Sequence, residues 1–156
     1  MRLSGVVKSG LGRAHVFMAQ THYQEQFKLI LGATAWPGTL NIGVEGKDLE
    51  FYVALRNLSG MDPGSIEDSI QAASEKLDVS HIESTRIHGF KREGRSFGGA
   101  TAFHATIQST SGDEYPCAIL IPDLTRHVDV VEVIAVNFLR EGLSIEDGEI
   151  VNLNLI

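Results

Sequence analysis

A single cysteine, Cys117, serves the whole chain, so no internal disulfide can hold it together. It stands in the apolar run YPCAILI and reads as a buried small hydrophobe, with a reactive thiol as the alternative. Long hydrophobic runs are missing as well: none approaches the ~20 residues needed to cross a bilayer. The opening residues MRLSGVVKSG lack the continuous apolar stretch and small-residue cleavage site of a secretory signal. The expectation is a cytoplasmic protein with no membrane partner. Basic residues are scarce, 13 Lys and Arg against 20 Asp and Glu, for a formal charge of −7. That balance repels a phosphate backbone, and no Lys/Arg cluster makes a local exception, so nucleic acid is not an expected partner. No two of the 6 histidines stand at the i, i+4 spacing of a helical zinc pair, and no Cys pair accompanies them. The Walker phosphate loop and a dinucleotide fingerprint between strand and helix are both absent.

What is present suits one packed core. A chain of 156 residues is about one domain in size and buries roughly 70% of its unfolded surface. Its hydrophobic fraction of 43% and charged fraction of 21% are ordinary for a globular protein. Residues 1–8 and 14–19 read as short strands around the break SGLGR. Tyr23, Phe27, Ile30 and Leu31 fall at helical spacing and predict a helix over Thr21 to Leu31, stopped by Gly32. After the Trp36-Pro37-Gly38 turn, residues 39–44 alternate polar and apolar like a strand, which puts Thr39 and Asn41 on one face. The middle is dense in turn formers. Ser65 to Leu77 reads as a helix, with Ser65 and Asp68 resembling a capping box and Ile66, Ile70, Ala73 and Leu77 as its apolar stripe. Strands return around Arg92-Glu93-Gly94-Arg95, over Thr101 to Gln108 and over Cys117 to Ile121, as antiparallel hairpins, and Ile150 to Ile156 alternates as a terminal strand after the Asp147-Gly148 turn. Asp129 to Phe138 fits a helix or a strand equally well. The pattern predicts a mostly β domain, a barrel, with two or three helices.

Three places could carry chemistry. Ser9-Gly10-Leu11-Gly12 is a glycine loop between apolar segments, either a plain tight turn or a cradle whose backbone N–H groups approach phosphate oxygens. Thr39 and Asn41 offer two neutral, hard oxygen donors on one side of a strand, which would suit Mg²⁺ beside a substrate phosphate. The plainer alternative is that they face solvent or bond the turn. Glu132 is a lone carboxylate within Val130-Val131-Glu132-Val133-Ile134, so it is solvated at one end, paired, or working.

The stretches SGLGRAHVF, YQEQFKLILG, PGTLNI, AILIP and VEVIAVNFLREGLSIEDGEIV, in that order, resemble the CTP-dependent riboflavin kinases of archaeal type. The resemblance covers both ends of the chain and matches the middle poorly. It implies a six-stranded cradle-loop barrel, the reaction CTP + riboflavin → CDP + FMN, and Mg²⁺. Carried over residue by residue, it implies that Gly10, Leu11, Gly12, Arg13, Ala14 and His15 lie along the nucleotide and that Asn137, Phe138, Leu139 and Arg140 complete that pocket. Thr39 and Asn41 would hold the metal, Thr125 and Glu132 would contact the flavin, and Glu132 would act at the acceptor hydroxyl. Arg13 or Arg140 could add positive charge near the phosphates. The expected partners are therefore the small molecules riboflavin and CTP, with a monomer as the default state. The family loop generally runs Gly-Leu-Gly-Glu-Gly-Arg, whereas Arg13-Ala14-His15 follow Gly12 here, and the Thr125–Glu132 interval is one residue shorter than usual. The middle is longer by roughly a helix and its loops, so the expected layout is one barrel domain over 1–156 with an inserted helical segment around 59–85. Two other readings stay open: a non-catalytic sensor that keeps the flavin or nucleotide pocket, and a kinase of another small alcohol.

Overall fold

The computed structural model describes residues 1–10, 18–61, 65–125 and 127–156. Nine strands lie among them: β1 (Arg2–Lys8), β2 (Leu40–Gly43), β3 (Thr85–Ile87), β4 (Phe90–Arg92), β5 (Arg95–Phe97), β6 (Ala100–Ser109), β7 (Glu114–Pro122), β8 (Val130–Ile134) and β9 (Ile150–Leu155). Neighbours pair antiparallel in the order β6-β7-β8-β2-β1-β9, and β9 pairs back onto β6, which closes a six-stranded barrel. β3 adds to β6 outside this ring, and β4 with β5 forms a separate hairpin. The hairpin turns at Glu93 and Gly94, whose φ values of 51° and 77° are both positive, as a two-residue turn matched to strand twist requires.

Alternation along the strands divides two cores. Leu3, Val7, Ile42, Phe103, Ile119 and Val131 point into the barrel. Opposite-facing residues, among them Ala102, Leu120 and Ile134, form a second cluster with Tyr23, Phe27 and Ile30 of helix α1 (Thr21–Leu31). α1 packs across β7 and β3. It ends as its sequence predicts: Gly32 sits at φ 83° and its N–H donates to the Lys28 carbonyl. Cys117 is buried in the barrel, and burial pushes its thiol up to about 12, which leaves it protonated and unreactive.

Four helices stand among the described residues, where two or three were expected. The additional long one is α2 (Gly46–Leu58), whose Phe51, Tyr52, Val53, Ala54, Leu55 and Arg56 are all buried. A helix covered on nearly every side carries a continuous apolar run in place of a stripe, so periodicity does not reveal it. Helix α3 (Asp68–Glu75) is shorter than the expected Ser65–Leu77, and its N-cap Glu67 makes no side-chain capping bond, so the capping box does not form. Its expected apolar stripe is only partly covered, with Leu77 38% exposed. α3 instead leans on α2 through polar contacts: Asn57 Nδ2 donates to Ser74 Oγ at 3.0 Å, and Gln71 Nε2 donates to Asn57 Oδ1 at 3.3 Å. A short α4 (Leu139–Gly142) leads into β9. Of the strand expected over 14–19, residues 14–17 lie outside the described residues, and Met18 is buried in the cluster with α1. The ambiguous 129–138 stretch contains a strand, β8. Among the described residues no helix is long and apolar enough to cross a membrane.

Candidate active site

Register carries one row of side chains across the outer face of the barrel. Ala102 stands opposite Leu120, Leu120 opposite Glu132, Glu132 opposite Asn41, and Asn41 opposite Lys8. Residues directly opposite in antiparallel strands share a face. The apolar end of the row, Ala102 and Leu120, belongs to the cluster with α1, whereas Glu132, Asn41 and Lys8 continue it as a polar end. Thr39 joins that end, its hydroxyl donating to Asn41 Oδ1 at 3.1 Å. The other side of the Asn41 carboxamide lies against Gly10, where an added Cβ would overlap Nδ2. Glycine at position 10 thus lets the chain entering the glycine loop approach Asn41, whose oxygen is turned to Thr39.

Two cavities meet at Thr39. The larger, about 730 Å³, has an aromatic and aliphatic wall that includes Tyr23, Phe27, Phe97 and Leu120, and polar groups from Thr39, Thr125, His127 and Glu132. Its wall is braced: Tyr23 Oη donates to the Gly98 carbonyl at 2.6 Å, and Phe90 stacks on Phe97 with centroids 4.6 Å apart. The smaller, about 170 Å³, is lined by Trp36, Thr39, Asn137, Phe138, Leu139 and Arg140, among others. At its edge Trp36 stacks on Phe138 at 4.7 Å, both rings more than a third exposed.

Burial pushes the Glu132 carboxyl above its ordinary value, and the positive charge available at His127 partly opposes the shift. Arg140 is already engaged. Its Nη2 donates to the Lys8 carbonyl at 3.1 Å and to Asp147 Oδ1 at 2.7 Å, and Ser9 Oγ donates to the other Asp147 oxygen. These bonds, from Ser9 first and Arg140 second, hold the exposed Asp147 carboxyl below its usual range. The network ties Lys8 and Ser9, which lead into the glycine loop, to α4 through Arg140.

The structure therefore gathers Gly10, Thr39, Asn41 and Glu132 at one place, sets Thr125 on the larger cavity, and sets Asn137 to Arg140 on the smaller one. Leu11, Gly12, Arg13, Ala14 and His15 lie outside the described residues. Sequence reasoning missed Trp36, Tyr23, Phe27, Phe97 and His127. Trp36 alone carried a signal, as a lone tryptophan beside the Pro-Gly turn. Among the described residues no three His, Cys, Asp or Glu side chains converge as a metal cluster.

A family model named CTP-dep_RFKase and described as a domain of unknown function, DUF120, matches residues 7–69 and 63–155. The chain belongs to that family. It is 32% identical over 153 residues to the riboflavin kinase of Thermoplasma acidophilum, an alignment covering 98% of this chain and 56% of that protein. With the riboflavin kinase of Methanocorpusculum labreanum the identity is 35% over 151 residues, 96% of this chain and 55% of the relative. With that of Pyrobaculum aerophilum it is 32% over 157 aligned positions, 100% of this chain and 61% of the relative. The chain thus spans little more than half the length of these curated relatives of the CTP-dependent riboflavin kinase family.

Because Glu132 is raised by burial, the folded chain holds that proton more tightly than the unfolded one. The stability this contributes is full below the unfolded carboxyl value and is lost as pH rises through the folded value, above which the ionised carboxylate is a cost. Glu132→Gln is expected to raise the thermal midpoint near neutral pH, by a margin that shrinks as pH falls towards about 4. Thermal denaturation of both proteins across that range checks this; a Gln variant less stable at neutral pH would contradict it.

Proposed function

We propose that this chain transfers the terminal phosphoryl group of CTP to the ribityl 5′-hydroxyl of riboflavin, giving FMN and CDP. The observation that carries the reading is the pair of unequal cavities meeting at Thr39, with Asn41 and Glu132 on the adjoining row. The larger cavity, at about 730 Å³, has the size of a small-molecule site. Its aromatic wall suits the flat isoalloxazine ring. Its polar groups suit the ribityl chain. The smaller cavity is lined by Thr39, Asn137 and the α4 residues Leu139 and Arg140, which suits the phosphates and base of a nucleotide. The family to which the chain belongs supports CTP as the donor.

Thr39 Oγ1 and Asn41 Oδ1 fit Mg²⁺: they are neutral hard oxygens that already converge, and they leave the ion's charge to be balanced by phosphate. Mg²⁺, when bound, supplies neutralisation of the triphosphate charge. The protein's remaining work is positioning. The ribityl oxygen attacks the γ-phosphorus in line, a new P–O bond forms as the bond to the β-phosphate oxygen breaks, and CDP departs with that electron pair. The proton of the attacking hydroxyl passes to a Glu132 carboxylate oxygen. A carboxyl raised above its ordinary value is a better acceptor for it. Arg140 keeps the loop entrance closed onto Asn41 through Lys8 and Asp147.

The direct test is FMN formed by purified protein with riboflavin, Mg²⁺ and each of CTP, ATP, UTP and GTP at equal concentration. CTP is expected to be fastest. A faster ATP reaction would overturn the donor while leaving the kinase, and no FMN with any donor would overturn both. Thr39→Val with Asn41→Leu keeps strand-compatible shapes and removes both metal oxygens, so FMN formation should be abolished while riboflavin binding, read from flavin fluorescence, largely survives. Full activity of that double variant at limiting Mg²⁺ would remove the metal assignment. In Glu132→Gln, kcat should fall by about 10²–10⁴ with little change in KM for riboflavin, the usual contribution of a general base. Turnover at the wild-type rate would show that the proton goes elsewhere.

A further inference from the structure

Among the described residues Arg56 is the one charged side chain that is fully buried, at 4% exposure. Burying a guanidinium is costly unless its donors are used. Nη1 donates to the backbone carbonyl of His127 at 3.0 Å, whereas Nε has no partner. Tyr52, one turn earlier on α2 and 1% exposed, has its hydroxyl beside the same guanidinium. Besides Tyr52 on its own helix, the acceptor that the Arg56 guanidinium meets is the His127 carbonyl.

That bond reaches the loop between β7 and β8. The loop is fixed at one end through Asp123, whose carboxylate takes the Arg86 guanidinium and whose N–H donates to the Gly99 carbonyl at 3.0 Å. At the other end the Asp129 carbonyl accepts from Val44 N–H at 3.0 Å. Between these pins stand Thr125 and His127, both on the larger cavity. Thr125 and His127 also make local bonds: Thr125 N–H to the Pro122 carbonyl at 3.1 Å, and His127 N–H to Thr125 Oγ1 at 3.4 Å. Among the described residues, the long-range hydrogen bond at the middle of the loop is the one from Arg56.

We propose that Arg56 is a positioning residue for the acceptor side of the reaction: by holding the His127 carbonyl from beneath, it keeps Thr125 and His127 turned into the larger cavity and so sets affinity for riboflavin without touching it. The inference rests on reading that cavity as the acceptor site. It also predicts a separation, because Thr125 and His127 line the larger cavity and not the smaller one.

The experiment compares the whole chain with Arg56→Met and Arg56→Lys by riboflavin binding without nucleotide, by KM for riboflavin and for CTP, and by amide hydrogen exchange. Loss of a hydrogen bond from a charged donor corresponds to an increase of about ten- to a hundredfold in the riboflavin dissociation constant and KM of Arg56→Met. KM for CTP should not change. Exchange should accelerate over residues 123–129 and not across the barrel, and Arg56→Lys, which keeps one donor, should recover much of the loss. A folded Arg56→Met with unchanged riboflavin affinity overturns the proposal. So does an equal rise in both KM values with exchange accelerated throughout, the signature of a merely structural role. If Arg56→Met does not fold, Arg56→Lys decides: it must bind riboflavin more weakly than wild type and exchange faster over 123–129, and wild-type behaviour in both overturns the proposal. If the wild-type chain binds no riboflavin, the acceptor reading fails and this proposal about riboflavin affinity with it, whereas exchange still reports whether Arg56 holds the loop.

Discussion

If β2 slipped by one residue against β8, Thr39 and Asn41 would turn into the barrel and Leu40 and Ile42 would turn out of it, because side chains alternate with a period of two. The barrel core forbids that slip: Ile42 is fully buried and Leu40 nearly so, among Leu3, Val7, Val131 and Val133. Everything at the site follows from this register. It sets Asn41 opposite Glu132 on one side and Lys8 on the other, and Lys8 leads the chain to Gly10, against the Asn41 carboxamide. α1 then covers the apolar half of the same row and leaves the polar half uncovered, so hydrophobic burial decides where the chemistry can be.

Glu132 on β8 and Arg56 on α2 show the same constraint. A carboxyl with little water around it holds its proton more readily, which costs stability at neutral pH and suits it to take a proton from a hydroxyl. A guanidinium cannot give up its charge, so its burial has to be met by acceptors, and at Arg56 the acceptor is a loop carbonyl. Tyr52 lies near both: burial pushes its phenol up to about 12, Arg56 pulls the other way, and Glu132 and Asp129 add to the rise. The electrostatics around Glu132 thus extend to α2.

The parts that could be read from the sequence are those governed by short-range periodicity. α1 occupies the span its apolar spacing predicts and stops at Gly32; the 39–44 alternation does put Thr39 and Asn41 together, the strands around 101–108 and 117–121 are present within longer elements, and the one expected over 150–156 is β9, ending at Leu155. α2 could not be read, since its buried run FYVAL is apolar without interruption and shows no stripe. The cavity walls escaped for another reason. Tyr23 and Phe27 come from α1 and Phe97 from the β4–β5 hairpin, and only the packing of those two elements brings them together, so spacing along the chain says nothing about it. The bonds of Arg140 to Lys8 and Asp147 could not be read either, since no local pattern indicates those partners.

The most direct measurement of the central claim is a structure of the chain with riboflavin and a non-hydrolysable CTP analogue bound together. The account predicts the isoalloxazine ring against Phe97 and Leu120 in the larger cavity and the triphosphate beside Gly10 and α4. The terminal ribityl oxygen should then stand by Glu132 about 3–3.5 Å from the γ-phosphorus, the separation of a near-attack geometry. Riboflavin in the smaller cavity, or two ligands on faces of the barrel that do not meet at Thr39, would contradict it.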